Sequence, residues 1–229
     1  MTNDRVIVAI GGGEIKAKTT REIDEYIVNL AKKRAGEKRA VALFIGTASH
    51  DSLPYFNSFR KTYTSIFDVK ADLALLTKKD IPMEHIKEKV EKADVIYVGG
   101  GDTLYMLEVW QKTGMRELIL DAYNRGVIIS GLSAGAICWF EKIYTDSEKI
   151  SGGEYVVRDG LGVLKGIMTP HFNLREEFVE VSKNYLPPAY AVEDNSALVF
   201  VNEELQGSLT SGGQAYTIEN GEKKEIPNL

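Results

Sequence analysis

Cysteine is almost absent from this chain. Among 229 residues only Cys138 carries a thiol, which excludes an intrachain disulfide and fits a reducing compartment. Histidine is scarce as well, with only His50, His85 and His171, and no His/Cys/Asp/Glu group has the spacing of a metal site. No metal and no cofactor are therefore expected. No apolar run reaches the ~18 residues that a membrane helix needs, so no membrane partner is expected. There is no excess of basic charge: 28 Lys and Arg stand against 33 Asp and Glu, for a net charge of −5. Without a basic stripe, a nucleic-acid surface is not expected. The opening MTNDRVIVAIGGG has a short apolar run directly after charged residues and no small-residue cleavage site. It reads as a first strand rather than a signal peptide, and the expected location is cytoplasmic.

What is present is the composition of a globular chain, 44% hydrophobic and 27% charged, with a length suited to one domain over residues 1–229. Apolar runs alternate with amphipathic stretches. Strands are expected at 5–10, 40–45, 69–75, 94–98 and 127–130, and helices at 20–35, 53–66, 82–91, 103–113 and 116–124. Continuous apolar strands separated by helices predict a parallel sheet covered on both faces. After about Trp139 glycines cluster, and strand-like runs return at 189–192, 197–201 and 215–218. These predict a β-rich closure of the same domain.

The strongest local signal is Gly131-Leu132-Ser133-Ala134-Gly135, a G-x-S-x-G pattern between an apolar strand and an expected helix at 136–140. Small neighbours let a serine occupy a sharp strand-to-helix turn, and the following backbone N–H can face developing negative charge. A bland alternative is a glycine-rich turn with a capping serine. Gly99-Gly100-Gly101-Asp102-Thr103 follows another strand, so in a parallel sheet it shares the carboxyl edge with Ser133 and can supply a second oxyanion N–H. Gly11-Gly12-Gly13 lies at the same edge but lacks dinucleotide-binding spacing.

A serine nucleophile needs a base. His85 falls within a surface helix, and His50 sits beside Asp51 and Ser52 as part of a helix cap. His171 follows a strand-like run and comes after the serine, as in other elbow hydrolases. The acid that orients it is sought between Ser133 and His171, where Glu141, Asp146, Glu148, Glu154 and Asp159 all qualify by spacing.

Together, Gly-Gly-Gly-Asp-Thr at 99–103, Gly-Leu-Ser-Ala-Gly-Ala at 131–136 and Thr-Pro-His-Phe at 169–172 resemble the peptidase E and cyanophycinase family of serine peptidases. The resemblance implies a flavodoxin-like three-layer α/β sandwich with a mostly parallel sheet, related to class I glutamine amidotransferases, in which cysteine occupies the nucleophile position. Here that position is Ser133. The resemblance further implies His171 as base, oxyanion N–H groups from Gly101 and Ala134, and an acid at Glu148, with Asp146 as the alternative. Glu148 departs from the aspartate of peptidase E. The substrate implied is a small peptide, in peptidase E a dipeptide with N-terminal aspartate. Arg175 is the local candidate to bind that carboxylate. A cyanophycinase-like isopeptidase acting on β-aspartyl bonds and a non-catalytic small-molecule binding module are the rival expectations. The protein is expected to be a monomer or homodimer. Asp194-Asn195-Ser196 also resembles the family, and no catalytic role is assigned to it.

Overall fold

The protein was analysed as a computed structural model, which describes residues 4–78, 81–149 and 152–229. Its first half alternates strand and helix: β1 (Val6–Ile10), α1 (Arg21–Ala35), β2 (Val41–Ile45), α2 (Leu53–Ser65), β3 (Lys70–Ala74), α3 (Met83–Lys92), β4 (Val95–Val98), α4 (Thr103–Thr113), α5 (Met115–Asn124) and β5 (Ile128–Leu132). The five strands pair in parallel in the order β1-β5-β4-β2-β3. Alternate residues of the inner strands β1, β5, β4 and β2 enter opposite cores. Val8, Ile10, Phe44 and Tyr97 pack with Ile23 and Ile27 of α1 and Phe59 and Tyr63 of α2. Ile7, Ala9, Leu43, Ile96 and Ile129 pack on the other face with Ile86, Trp110 and Ile119 of α3, α4 and α5. Burying both faces explains why these strands read as unbroken apolar runs.

The second half departs from a simple closure of that sheet. After a one-turn helix α6 (Ala134–Ile137) come β6 (Phe140–Thr145), β7 (Val156–Asp159), β8 (Leu164–Thr169), the short helix α7 (Phe178–Ser182), β9 (Ala189–Val192), β10 (Ser196–Val201), β11 (Glu204–Thr210), β12 (Ala215–Glu219) and β13 (Glu222–Glu225). Only β10 and β11 join the first sheet, with β10 antiparallel to β1. The others form a second sheet, β13-β12-β9-β8-β6-β7. It packs against the same core as α3 to α5 through Phe140, Ile143, Leu164, Met168 and Val192. The helix expected at 136–140 is cut to one turn because the chain turns at once into β6. Trp139 Nε1–H donates to the Gly135 carbonyl at 2.9 Å, and the Trp139 carbonyl accepts from Val163 and Leu164.

One charged group lies inside the first core. Asp24 of α1 is fully buried, and its carboxylate accepts from Thr20 Oγ1 and Tyr63 Oη, both at 2.9 Å. Burial pushes its pKa from 3.8 up to about 6, with the two hydrogen bonds acting in the opposite direction. The folded chain thus holds this proton more tightly than the unfolded chain. The stabilisation that follows is complete below pH 3.8 and is lost as pH rises through about 6. Relative to Asp24→Asn, the native chain should therefore lose about 3 kcal/mol of stability on going from acid to mildly alkaline pH, at roughly 1.4 kcal/mol for each tenfold difference in proton affinity between the two states. Urea unfolding of both proteins across that range checks this. A pH-independent difference between them would exclude it.

Candidate active site

Parallel pairing puts the ends of β1, β5 and β4 side by side, so Gly11–Gly13, Ser133 and Gly99–Gly101 share one carboxyl edge. Ser133 follows β5 directly and has φ +54° and ψ −108°. For a residue with a β-carbon this is a strained conformation, costing on the order of 1–3 kcal/mol. Close approach of the flanking chain makes the turn possible. A β-carbon on Gly135 would lie 2.1 Å from the Val98 carbonyl oxygen, so only glycine lets α6 pass so near β4. The Ser133 N–H is held by the Ile10 carbonyl at 2.9 Å.

Three groups line up at this serine. His171 Nε2 lies 2.9 Å from Ser133 Oγ, and His171 Nδ1 lies 2.6 Å from Asp194 Oδ1. His171 follows β8 of the second sheet with φ +50° and ψ +41°, and Asp194 sits in the turn from β9 to β10. The glycine segment after β1 ties them together. The Gly11 carbonyl accepts from His171 N–H at 3.1 Å, and the Gly12 carbonyl accepts from Asn195 N–H at 3.0 Å. Asn173 braces the acid from outside. Its Nδ2–H donates to Asp194 Oδ2 at 3.2 Å, and its Oδ1 accepts from Asp194 N–H at 3.1 Å.

The carboxylate hydrogen-bonded to His171 is therefore not the one expected. Glu148 is ion-paired with Arg158, and Asp146 accepts from Arg175 Nη2 at 2.9 Å; His171 is paired with neither. Arg175 is also not at the cleft. It is 3% exposed, its guanidinium lies 4.9 Å from the centre of the Tyr155 ring, and it donates to Asp146 and to the Tyr144 carbonyl. Its charge is spent on holding the loop after β6 to the second sheet. His50 lies in a left-handed turn after β2 against Tyr105, and His85 is exposed on α3. Cys138 is buried, which pushes its thiol pKa up and leaves it an inert packing group.

Ser133 and His171 open onto a cleft of about 460 Å³ whose walls include Glu14, Lys16, Tyr55 and the Gly100–Gly101 backbone. Among the described residues, neither the Gly101 nor the Ala134 N–H has an acceptor. Both are backbone donors of the kind that can receive an oxyanion. No group of three or more His, Cys, Asp or Glu that could hold a metal occurs among the described residues. No helix among them is long and apolar enough to cross a membrane.

A mostly parallel α/β sheet presenting a serine, an imidazole and a carboxylate at one strand end belongs to the hydrolytic enzymes. The chain is a member of peptidase family S51, whose family model matches residues 7–207. It is a peptidase of the peptidase E type. It is 33% identical over 231 residues to the uncharacterized peptidase YgaJ of Bacillus subtilis, covering 96% of each chain. It is 32% identical over 87 residues to peptidase E of Salmonella arizonae, covering 37% of each. Among solved structures, a peptidase from an acI-B1 actinobacterium shares the fold with a TM-score of 0.73 at 18% identity, over 97% of this chain and 93% of that one.

Proposed function

We propose that the protein is a serine-type peptidase that hydrolyses short peptides through an acyl-enzyme. The observation that carries this reading is the continuous hydrogen-bonded line Ser133 Oγ, His171 Nε2, His171 Nδ1, Asp194 Oδ1, at 2.9 and 2.6 Å, at the mouth of the cleft. His171 takes the Ser133 proton as Oγ attacks the scissile carbonyl. Asp194 keeps the imidazole in the tautomer that can accept this proton and stabilises the imidazolium that forms. The N–H groups of Gly101 and Ala134 receive the oxyanion. His171 then protonates the leaving amine, and the same imidazole activates the water that releases the acid.

A cleft of this size suits a dipeptide or another short peptide better than a folded protein chain. Glu14 and Lys16 supply opposite charges on its wall. For a dipeptide with N-terminal aspartate, Lys16 is the cation within reach of the cleft, the role expected of Arg175. A cytoplasmic location is part of this reading.

An alkyl fluorophosphonate tests the reading. Oγ of an activated serine forms a bond to phosphorus as fluoride leaves, and the proton passes to His171. Peptide mass analysis should find the phosphonyl group on the peptide containing Ser133. Peptide hydrolysis that persists with Ser133 fully labelled would exclude the mechanism.

A further inference from the structure

We infer that Tyr55 is a positioning residue for the oxyanion site: its hydroxyl anchors the Gly100 amide and so fixes the direction of the Gly101 amide. The inference rests on the serine-peptidase reading above. Three successive glycines after β4 carry no side chains to restrict the rotation of their peptide planes. Orientation must therefore come from hydrogen bonds to the rest of the fold. Gly99 N–H donates to the Ile45 carbonyl at 2.9 Å, Gly100 N–H to Tyr55 Oη at 3.3 Å, and Asp102 N–H to the Ala48 carbonyl at 2.8 Å. Of these four consecutive amides, Gly101 is the one without an acceptor among the described residues. The loop is pinned on both sides of it, and Tyr55 is the only one of the anchors that is a side chain.

The anchor itself is firmly seated. Tyr55 lies in the first turn of α2, where Ser52 accepts from its backbone N–H at 3.4 Å. Its ring meets Phe44 of β2 edge-on, with centroids 5.0 Å apart. A β-carbon on Gly99 would come within 2.9 Å of its Cε1, so the ring fills the space the glycine leaves. Burial pushes the Tyr55 pKa up to about 12, so the phenol stays neutral through the working range of an enzyme.

The test uses Tyr55→Phe, which keeps the ring and removes one oxygen, with two probes of the oxyanion site. The rate of Ser133 phosphonylation by an alkyl fluorophosphonate should fall roughly tenfold, less than the loss from deleting an oxyanion donor outright. The inhibition constant of phenylboronic acid, which forms a tetrahedral adduct on the serine, should weaken by the same factor. Tyr55→Leu should be at least as slow. A purely structural tyrosine would lower the thermal midpoint and leave the phosphonylation rate and boronate affinity of the folded protein unchanged, and that result overturns the inference. An unreactive native enzyme would instead overturn the reading of Ser133, and this inference with it.

Discussion

Asp194→Asn should lower kcat/KM by roughly 10³- to 10⁴-fold with little change in KM, the scale seen when the acid of a serine triad is amidated. The reason lies in proton placement. With Asp194 Oδ1 2.6 Å from His171 Nδ1, the neutral ring carries its proton on Nδ1 and leaves Nε2 free to accept from Ser133. An amide nitrogen at that position favours the other tautomer, whose Nε2–H faces the serine and cannot serve as base. Glu148→Gln should keep activity within about twofold, because an exposed ion pair such as Glu148 with Arg158 contributes little. Steady-state kinetics on a short-peptide substrate, with thermal midpoints for both variants, checks the pair. Wild-type rates in Asp194→Asn would remove Asp194 from the mechanism.

Gly12→Ala should cost about 10²- to 10³-fold in kcat/KM, although the residue bears no side chain and touches no substrate in the proposed mechanism. A β-carbon there would lie 1.8 Å from Asp194 Oδ1 and 2.4 Å from His171 Nδ1, in the middle of their hydrogen bond. The methyl group must drive the two apart, and displacements of about 1 Å at a catalytic group cost on the order of 10²-fold. The glycine carbonyl still holds Asn195, so the fold should persist while the alignment fails. Gly36→Ala, where a β-carbon meets nothing within 4 Å, is the comparison, and it should affect stability alone. Full activity in a folded Gly12→Ala protein would show that the imidazole and carboxylate need not be in contact.

Neither Asp194 nor Gly12 is legible as a site residue in the sequence, whereas much of the fold and Ser133 are. The inner strands of the first sheet are buried on both faces, as in Ile7–Ile10 and Val95–Val98, and declare themselves as apolar runs. Ser133 announces itself through the local rule that a strained turn needs small neighbours. Of the second sheet, β9 and β12 are expected as strands, whereas β6, β7 and β13 escape because they carry charged residues on their exposed faces, with Glu222–Glu225 exposed throughout. Asp194 escapes for a topological reason. It lies 23 residues after His171, beyond the Ser133–His171 interval, and reaches the imidazole because β10 returns antiparallel to β1. The available signal was an acid in a turn directly before a strand, Asp194-Asn195-Ser196, together with an unexplained glycine run after β1. For Arg175, closeness in sequence to His171 does not translate into closeness to the cleft. The short turn at Phe172–Leu174 directs it beneath the second sheet instead.

The pairing of β1 with β10 bears on when this molecule can begin to work. Val6 lies opposite Val201, and the Gly11 and Gly12 carbonyls bind residues 171 and 195. β1 thus waits for a strand made long after it. Closing such a long loop is slow, because its entropy is lost before the contact returns anything. Until β10 has been made, the serine turn has neither Asp194 beside His171 nor the Asn195 contact to Gly12. In the proposed mechanism, catalytic competence then arrives only once β10 has docked on β1.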